Sequence, residues 1–336
     1  MDAEQLQRQK RRAARALELR RRSQRRIAAV GALFVVAVVA GVAIASSVGG
    51  GSSGSSATPK RASHTSRSAG GSSPLHAHRG ASTAAVLGPA TGTPGRATVP
   101  VLMYHVIAPP PSGAPFPGLY VPADEFAAQM QALKAAGWHA VTLDQLRAYW
   151  THGARLPPGK PIVLTFDNGY HSQYANALPV LKRLGWVADE NIQLSGLPPS
   201  QGGLTDSEVR ALVDAGWELD TQGISHADLI ALDASQLHYQ VVTSRQIIRH
   251  RYGVPVNWFC YPSGHYDSTV IDAVRSAGYV GSTTVIPGWA GPSNDPYTLP
   301  RLRVLGGTSP SALLEQIASN RGASAPPSSY GGAGTA

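Results

Sequence analysis

The residues able to do chemistry in this chain converge on one stretch, Leu164-Thr165-Phe166-Asp167-Asn168-Gly169-Tyr170. An apolar run, Pro161-Ile162-Val163-Leu164, leads straight into a carboxylate, an amide and a glycine. In parallel α/β sheets the carboxyl ends of buried strands face the ligand crevice, so Asp167 and Asn168 stand where a reacting molecule would lie. A second apolar run, Val99 to Tyr104, ends in the same way at His105, which is either a general acid or a hydrogen-bonded core histidine. In a third, Trp217 to Gln222, side chains alternate in direction, so Asp220 and Gln222 share a face, and His226 follows four residues on. Asp167, Asp220 and His226, with His105 or His171, would form a set of ion ligands. The alternative is that Asp220 bonds Asn168 or Gln222 and only completes a polar network.

The elements that must hold these residues alternate in type. Ala123–Ala136 carries Phe126, Met130 and Leu133 at helical spacing, begins after Pro122 and stops before Gly137. His139–Leu143 reads as strand, Asp144–Trp150 and Ser172–Leu184 as helices, and Trp186–Leu194 as a strand interrupted by Asp189, Glu190 and Asn191, an unusual content for a buried strand. Thr205 with Glu208 is a capping box that opens the next helix. Gln236–Arg251, Ser268–Ser276 and Ser309–Ser319 are further helices, and Asn257–Tyr261 and Tyr279–Thr284 further strands. Roughly seven strands alternating with helices predict an α/β fold built as a parallel barrel.

Outside this region the composition changes. Residues 1–26 hold ten Lys or Arg against three acids, and 49–98 hold five bases and no acid, out of 29 and 20 in the chain. That leaves fourteen bases and seventeen acids from Val99 on, so the formal charge of +9 belongs to the N-terminal third and a nucleic-acid partner is excluded. Ile27–Val48 is uncharged and long enough to span a ~30 Å hydrocarbon core. It exceeds the h-region of a cleaved signal, although Ala43-Ile44-Ala45 imitates a cleavage site. Five arginines just before it place residues 1–26 in the cytoplasm, as a topology signal or a basic helix on anionic lipid, and the main domain outside. Residues 49–98 form a flexible Gly/Ser/Pro linker, 99–321 the folded domain, and 322–336 a disordered tail. The single Cys260, flanked by Phe259 and Tyr261, reads as a buried strand residue rather than a nucleophile.

The Thr165-Phe166-Asp167-Asn168-Gly169 stretch resembles the Thr-Phe-Asp-Asp-Gly motif of the polysaccharide deacetylases, the NodB homology domain of carbohydrate esterase family 4. The resemblance continues through Gly216 to His226, where the family has a His-Thr-x-x-His motif, through Phe259-Cys260-Tyr261-Pro262-Ser263-Gly264, and through Leu299-Pro300-Arg301. Tyr104-His105 and the Leu-Pro-Arg element are most similar to the poly-N-acetylglucosamine deacetylase branch. The resemblance implies a distorted (β/α) barrel and metal-dependent hydrolysis of N-acetyl groups on amino-sugar polymers of the cell wall or exopolysaccharide. It implies Asp167 as base, Arg301 as its partner, the Tyr261 N–H at the oxyanion, His105 as acid, and Tyr170, Pro262 and Gly264 around the substrate. The divalent metal, zinc or similar, would fall to Asn168, Gln222 and His226, where the family has Asp, His and His. Two neutral amides there weaken the site, with Asp220 as the replacement ligand. Three functions follow: a membrane-anchored extracytoplasmic deacetylase, an inactive glycan-binding descendant, or a structural cell-wall partner.

Overall fold

The computed structural model describes residues 92–195, 197 and 202–332, so the tail, membrane span and nearly all of the linker expected from the sequence lie outside the described residues. Among the described residues no helix is long and apolar enough to cross a membrane. The strands β1 (Val99–Tyr104), β3 (Lys160–Asn168), β4 (Asp189–Ile192), β5 (Glu218–Thr221), β6 (Trp258–Cys260) and β7 (Gly281–Thr283) lie in one parallel sheet. Its order is β7-β6-β5-β4-β3-β1, with β2 (Trp138–Val141) parallel to the first half of β3 and β9 (Leu302–Arg303) parallel to β1. A short antiparallel strand, β8 (Trp289–Ala290), closes the β1 edge. The sheet curls into a half-barrel, and a bridge between Thr283 and Leu299 brings the chain entering β9 back toward β7.

Alternation along each strand separates two chemistries. Leu102, Tyr104, Leu164 and Phe166 point to the convex face and bury against α1 (Ala123–Ala135) and α3 (Leu178–Leu184). Leu219 and Phe259 do so on the far side, against α6 (Ser244–Tyr252) and α7 (Ser268–Ser276). Phe166 stacks on Trp217 with ring centroids 4.9 Å apart, a contact that contributes about 0.5–1.5 kcal/mol beyond area burial. On the concave face only the base is apolar, with Val101, Val163, Trp258 and Leu299 closed off by α2 (Leu143–His152). Thr142 caps α2 through a reciprocal box with Gln145, and Gly153 ends it in the left-handed region. Above that base the concave face is polar, carrying Thr165, Asp167, Asp189, Asn191, Asp220 and Cys260, each at most 1 % exposed.

The segment after Gly322 differs from the disordered tail read from its composition. Tyr266 and Tyr330 exchange both backbone hydrogen bonds at 2.8 Å, and the Tyr266 hydroxyl donates to the Pro327 carbonyl. The Tyr330 ring packs with the Leu219–Phe259 cluster, so one aromatic anchor orders a Gly/Ser-rich stretch.

Glu190 is the exception on the convex face. It is fully buried, pairs in register with Phe166 and Leu219, and neither carboxyl oxygen has a partner. Burial, with the nearby Asp167 charge, pushes its carboxyl well above the usual range, so the folded state holds a proton that the unfolded state releases. Stability from that proton is complete below the unfolded value near pH 4.5 and declines as pH rises toward the folded value. Glu190→Met is therefore expected to gain about 1–3 kcal/mol in urea unfolding at pH 8, with the gain shrinking toward pH 4; an equal gain at both pH values would refute the account.

Candidate active site

Loops at the carboxyl ends of the strands enclose a cavity of about 450 Å³. His105 enters it after β1, Asp167 and Asn168 at the end of β3, Gln193 after β4, Gln222 and His226 after β5, Tyr261 and Ser263 to His265 after β6, and Arg301 and Arg303 at β9. Phe116, Leu119 and Tyr170 give it an apolar side. The backbone is held in unusual shapes there: Asn168, His226 and Ser263, with φ of 79°, 53° and 55°, are the non-glycine residues in the left-handed region among the described residues, and all three line the cavity. Such conformations cost about 1–3 kcal/mol each and collect at functional sites. Gly264 is required as well, since a Cβ on it would stand 2.3 Å from a Val285 methyl. The loop carrying His226 is fixed by Gln240, whose Oε1 accepts from the N–H groups of Ile224 and Ser225.

Asp167 is the most constrained group. Arg301 donates to both of its oxygens, at 2.8 and 2.9 Å, and Asn191 Nδ2 adds a third bond at 2.9 Å. Arg301 also donates to Thr165 Oγ1, to the Thr284 carbonyl and to Cys260 Sγ, so every arm of the guanidinium is used. Burial alone would raise the carboxyl, but the Arg301 charge and its hydrogen bonds win and hold it at about 2. His105 Nε2 lies 4.0 Å from Asp167 Oδ2, and its Nδ1 is buried with no partner. Burial pushes the His105 ring down to about 4 against the pull of Asp167, and also lowers His226. At neutral pH Asp167 is thus a locked carboxylate, and His105 and His226 are neutral imidazoles.

Several expectations from sequence need correction. Asp220 is absent from the cavity lining: its Oδ1 accepts from the N–H groups of Asn257 and Trp258, deeper in the half-barrel. It neither joins Asp167 and His226 as an ion ligand nor bonds Asn168 or Gln222. His171 pairs with Glu208 at 2.8 Å outside the cavity. Pro262 is buried beneath the loop rather than lining the cavity. The Tyr261 N–H, expected to face an oxyanion, donates to the Thr283 carbonyl at 3.4 Å, a long ladder bond that continues the β6–β7 pairing. Arg303 lines the cavity, as does His265, which is held between Asp228 and the Gly332 carbonyl. Asn191 and Gln193 carry functions the sequence reading did not assign. Their signal was present, since Asp189, Asn191 and Gln193 are spaced by two and share the concave face.

The metal implied by the resemblance does not fit these residues. Asn168 Nδ2 donates to Gln193 Oε1 at 3.0 Å, and Gln193 in turn donates to the Ser195 carbonyl, so an amide chain occupies the position of a ligand. Gln222 Oε1 is buried without a partner, but it is one neutral oxygen beside one imidazole, His226. Zinc sites of hydrolases take three strong donors, such as imidazoles and carboxylates, and leave one position open. Among the described residues, the group of three His, Cys, Asp or Glu with ligand atoms within 4.8 Å of one another is Asp189, Glu218 and Asp220, outside the cavity.

The comparisons with known proteins agree with the motifs. The family description for polysaccharide deacetylase matches residues 154–282. YxkH of Bacillus subtilis (strain 168), assigned to the same family, is 30% identical over 224 residues, covering 66% of this chain and 77% of its own. The Streptococcus pyogenes deacetylase PplD, solved with acetate, superposes with a TM-score of 0.61 at 26% identity, over 66% of this chain and 99% of its own. IcaB from Ammonifex degensii, with a TM-score of 0.55 and 21% identity over 66% and 97% of the two chains, shares the fold. The fold and site thus define a carbohydrate-esterase type of α/β half-barrel. This chain belongs to the polysaccharide deacetylase family.

Two outcomes test this geometry. Arg301→Met is expected to cost about 3–5 kcal/mol in denaturant unfolding, because it strands a buried carboxylate, and the double change with Asp167→Asn is expected to cost less than Arg301→Met alone. Asn168→Asp with Gln222→His is expected to bind Zn²⁺ or Co²⁺ in the cavity at least about 100-fold more tightly than the natural chain by titration calorimetry; equal affinity would mean that the amides are not what excludes the metal.

Proposed function

We propose that this chain removes acetyl groups from N-acetylated amino-sugar polymers in the Asp167 cavity, and that it does so slowly and without a metal. The observation that carries this reading is the pairing of a locked anion, Asp167, with a neutral histidine 4.0 Å away whose other nitrogen is free of any partner. His105 takes a proton from water as the oxygen attacks the acetyl carbonyl carbon, and Asp167 steadies the imidazolium that forms. The same proton then passes to the sugar nitrogen as the carbon–nitrogen bond breaks, leaving a free amine and acetic acid, which ionises to acetate in water. Arg301 acts through Asp167, keeping it ionised. Tyr170 and Gly264 face the sugar and its acetyl group, with Pro262 supporting the loop from below. Water keeps a pKa near about 15.7 without a Lewis acid, which limits the rate.

The polymer is an extracytoplasmic one in this reading, reached by a domain tethered through Ile27–Val48 and the linker that follows. The uncharged span and its arginine flank support that placement. A second reading, retention of the glycan without turnover, is supported by the Asn168–Gln193 amide chain at the metal position. Acetate release from N-acetylglucosamine oligomers by the full chain separates the two. Release is expected to persist in chelator and to fall about 10²–10⁴-fold in His105→Gln. Oligomer binding with no acetate above that of the variant would establish the second reading, and release abolished by chelator would show that a metal takes part.

A further inference from the structure

Beneath the cavity, the concave face buries Asp189, Glu218 and Asp220, one oxygen from each lying within 4.8 Å of the others. Each carboxylate spends one oxygen on backbone N–H groups. Leu143 N donates to Asp189 Oδ1, Asp144 N to Glu218 Oε2, and Asn257 N and Trp258 N to Asp220 Oδ1. The second oxygens, Asp189 Oδ2, Glu218 Oε1 and Asp220 Oδ2, are buried with no partner. An independent fourth acceptor faces the same place. Asn191, fully buried, turns its Nδ2 to Asp167 on β3, so its Oδ1 is directed to the opposite neighbour, β5, where Asp220 is its register partner. That Oδ1 is unpartnered too.

Four buried oxygens, three of them on acids, meet in one place; Asp189 and Glu218 share a side-chain hydrogen bond and Thr142 adds one to Glu218, which still leaves the acids without a cation. No side chain supplies one: none of the three acids is in an ion pair among the described residues, and Arg301 is committed to Asp167. Asp144, the nearest further carboxylate, is occupied by Asn257 Nδ2 and Trp258 Nε1. The N–H groups at the start of α2 offset part of the charge and hold the carboxylates in orientation.

We infer that Asp189, Glu218, Asp220 and Asn191 Oδ1 form a structural site for one hard divalent cation of the Mg²⁺, Ca²⁺ or Mn²⁺ class, separate from the catalytic cavity. An all-oxygen donor set with several carboxylates suits such ions and not zinc or copper, which prefer nitrogen and sulfur. The cation ties β4, β5, β6 and the start of α2 together, and through Asn191 it fixes the oxygen of Asp167 that faces β4. Glu218 is half-buried, but all four ligand oxygens are buried, so the ion enters as the chain folds.

The test is independent of the reaction proposed for the cavity. The full chain is unfolded in chelator and refolded with Ca²⁺, Mg²⁺ or Mn²⁺, or with none, followed by elemental analysis and thermal unfolding. One ion per chain is expected, with Tm about 5–10 °C higher at a hundredfold excess over Kd. Asp220→Asn with Glu218→Gln keeps the shape and the acceptors for the N–H groups but removes two charges, and it is expected to take up no ion and to lose the response. His226→Ala is expected to retain both. An ion-free natural chain whose Tm ignores all three cations, with the amide variant equally or more stable, would overturn the proposal and show that protons neutralise the cluster. An ion lost in His226→Ala but kept in the amide variant would overturn it by placing the ion in the cavity.

Discussion

The Asp167–Arg301 ion pair is the interaction on which the rest of this structure depends. Taking two charges out of water costs several kcal/mol per ion, and their mutual attraction offsets that only when the remaining donors and acceptors are filled. Here they are filled by four groups from different strands. Thr165 comes from β3, Asn191 from β4, Cys260 from β6, and the Thr284 carbonyl from the end of β7, while Arg301 arrives from the approach to β9. The approach to β9 is therefore tied to β3, β6 and β7 across the interior by side-chain hydrogen bonds, in addition to the ladder that pairs β9 with β1. An apolar filling would have been at least as stable, so the pair is better understood as a device that keeps one carboxylate ionised and fixed in direction.

That device sets the character of the cavity above it. With Asp167 held at about 2 and the His105 and His226 rings lowered by burial, these three groups keep one charge state across the physiological range. The neighbouring amides extend the same logic. Asn168 in its left-handed turn is oriented by Gln193, which is oriented by Ser195, so a polar, neutral and geometrically fixed wall stands where the family places a cation. Such a wall recognises hydroxyl and amide groups well, because an unmatched polar ligand would leave buried donors and acceptors unpaired. Neutral amides do not activate water, so in the proposed reaction the proton transfer falls to His105.

Much of this was legible in the sequence because spacing along a strand fixes which face a side chain takes. The strand from Pro161 into Asp167, the Gln222 and His226 positions, and Arg301 as partner of Asp167 all follow from motif frames that the folded chain preserves. Asp220 shows where that reasoning fails. Alternation correctly gave its face, but two residues along a strand amount to about 6.6 Å, enough to move it from the cavity floor into the interior. Pro262 failed for a related reason, since a tight turn sends adjacent residues to opposite sides of a loop. The polar residues Asp189, Glu190 and Asn191 are an unusual content for a buried strand. Their meaning lay in partners on β3, β5 and α2, up to 46 residues away in sequence, which no local pattern contains. Composition likewise does not contain the contacts of the C-terminal stretch up to residue 332, where Pro327, Tyr330 and Gly332 meet His265 and Tyr266.

The polar interior also constrains how such a site can change. Asn191 contacts Asp167 on one side and faces Asp220 on the other, so the reacting layer and the acidic layer below it share a residue. Asp189 and Glu218 hold the start of α2 through its N–H groups, and α2 in turn seals the apolar base. A carboxylate introduced alone into an apolar strand at this depth would be left uncompensated, at a cost of several kcal/mol against a total stability of about 5–15 kcal/mol. The acids of β4 and β5, the helix start that meets them and whatever neutralises them therefore form one unit whose members are tolerable only together. Because the unit reaches Asp167 through a single amide, substitutions well below the cavity act on the direction of its one anion.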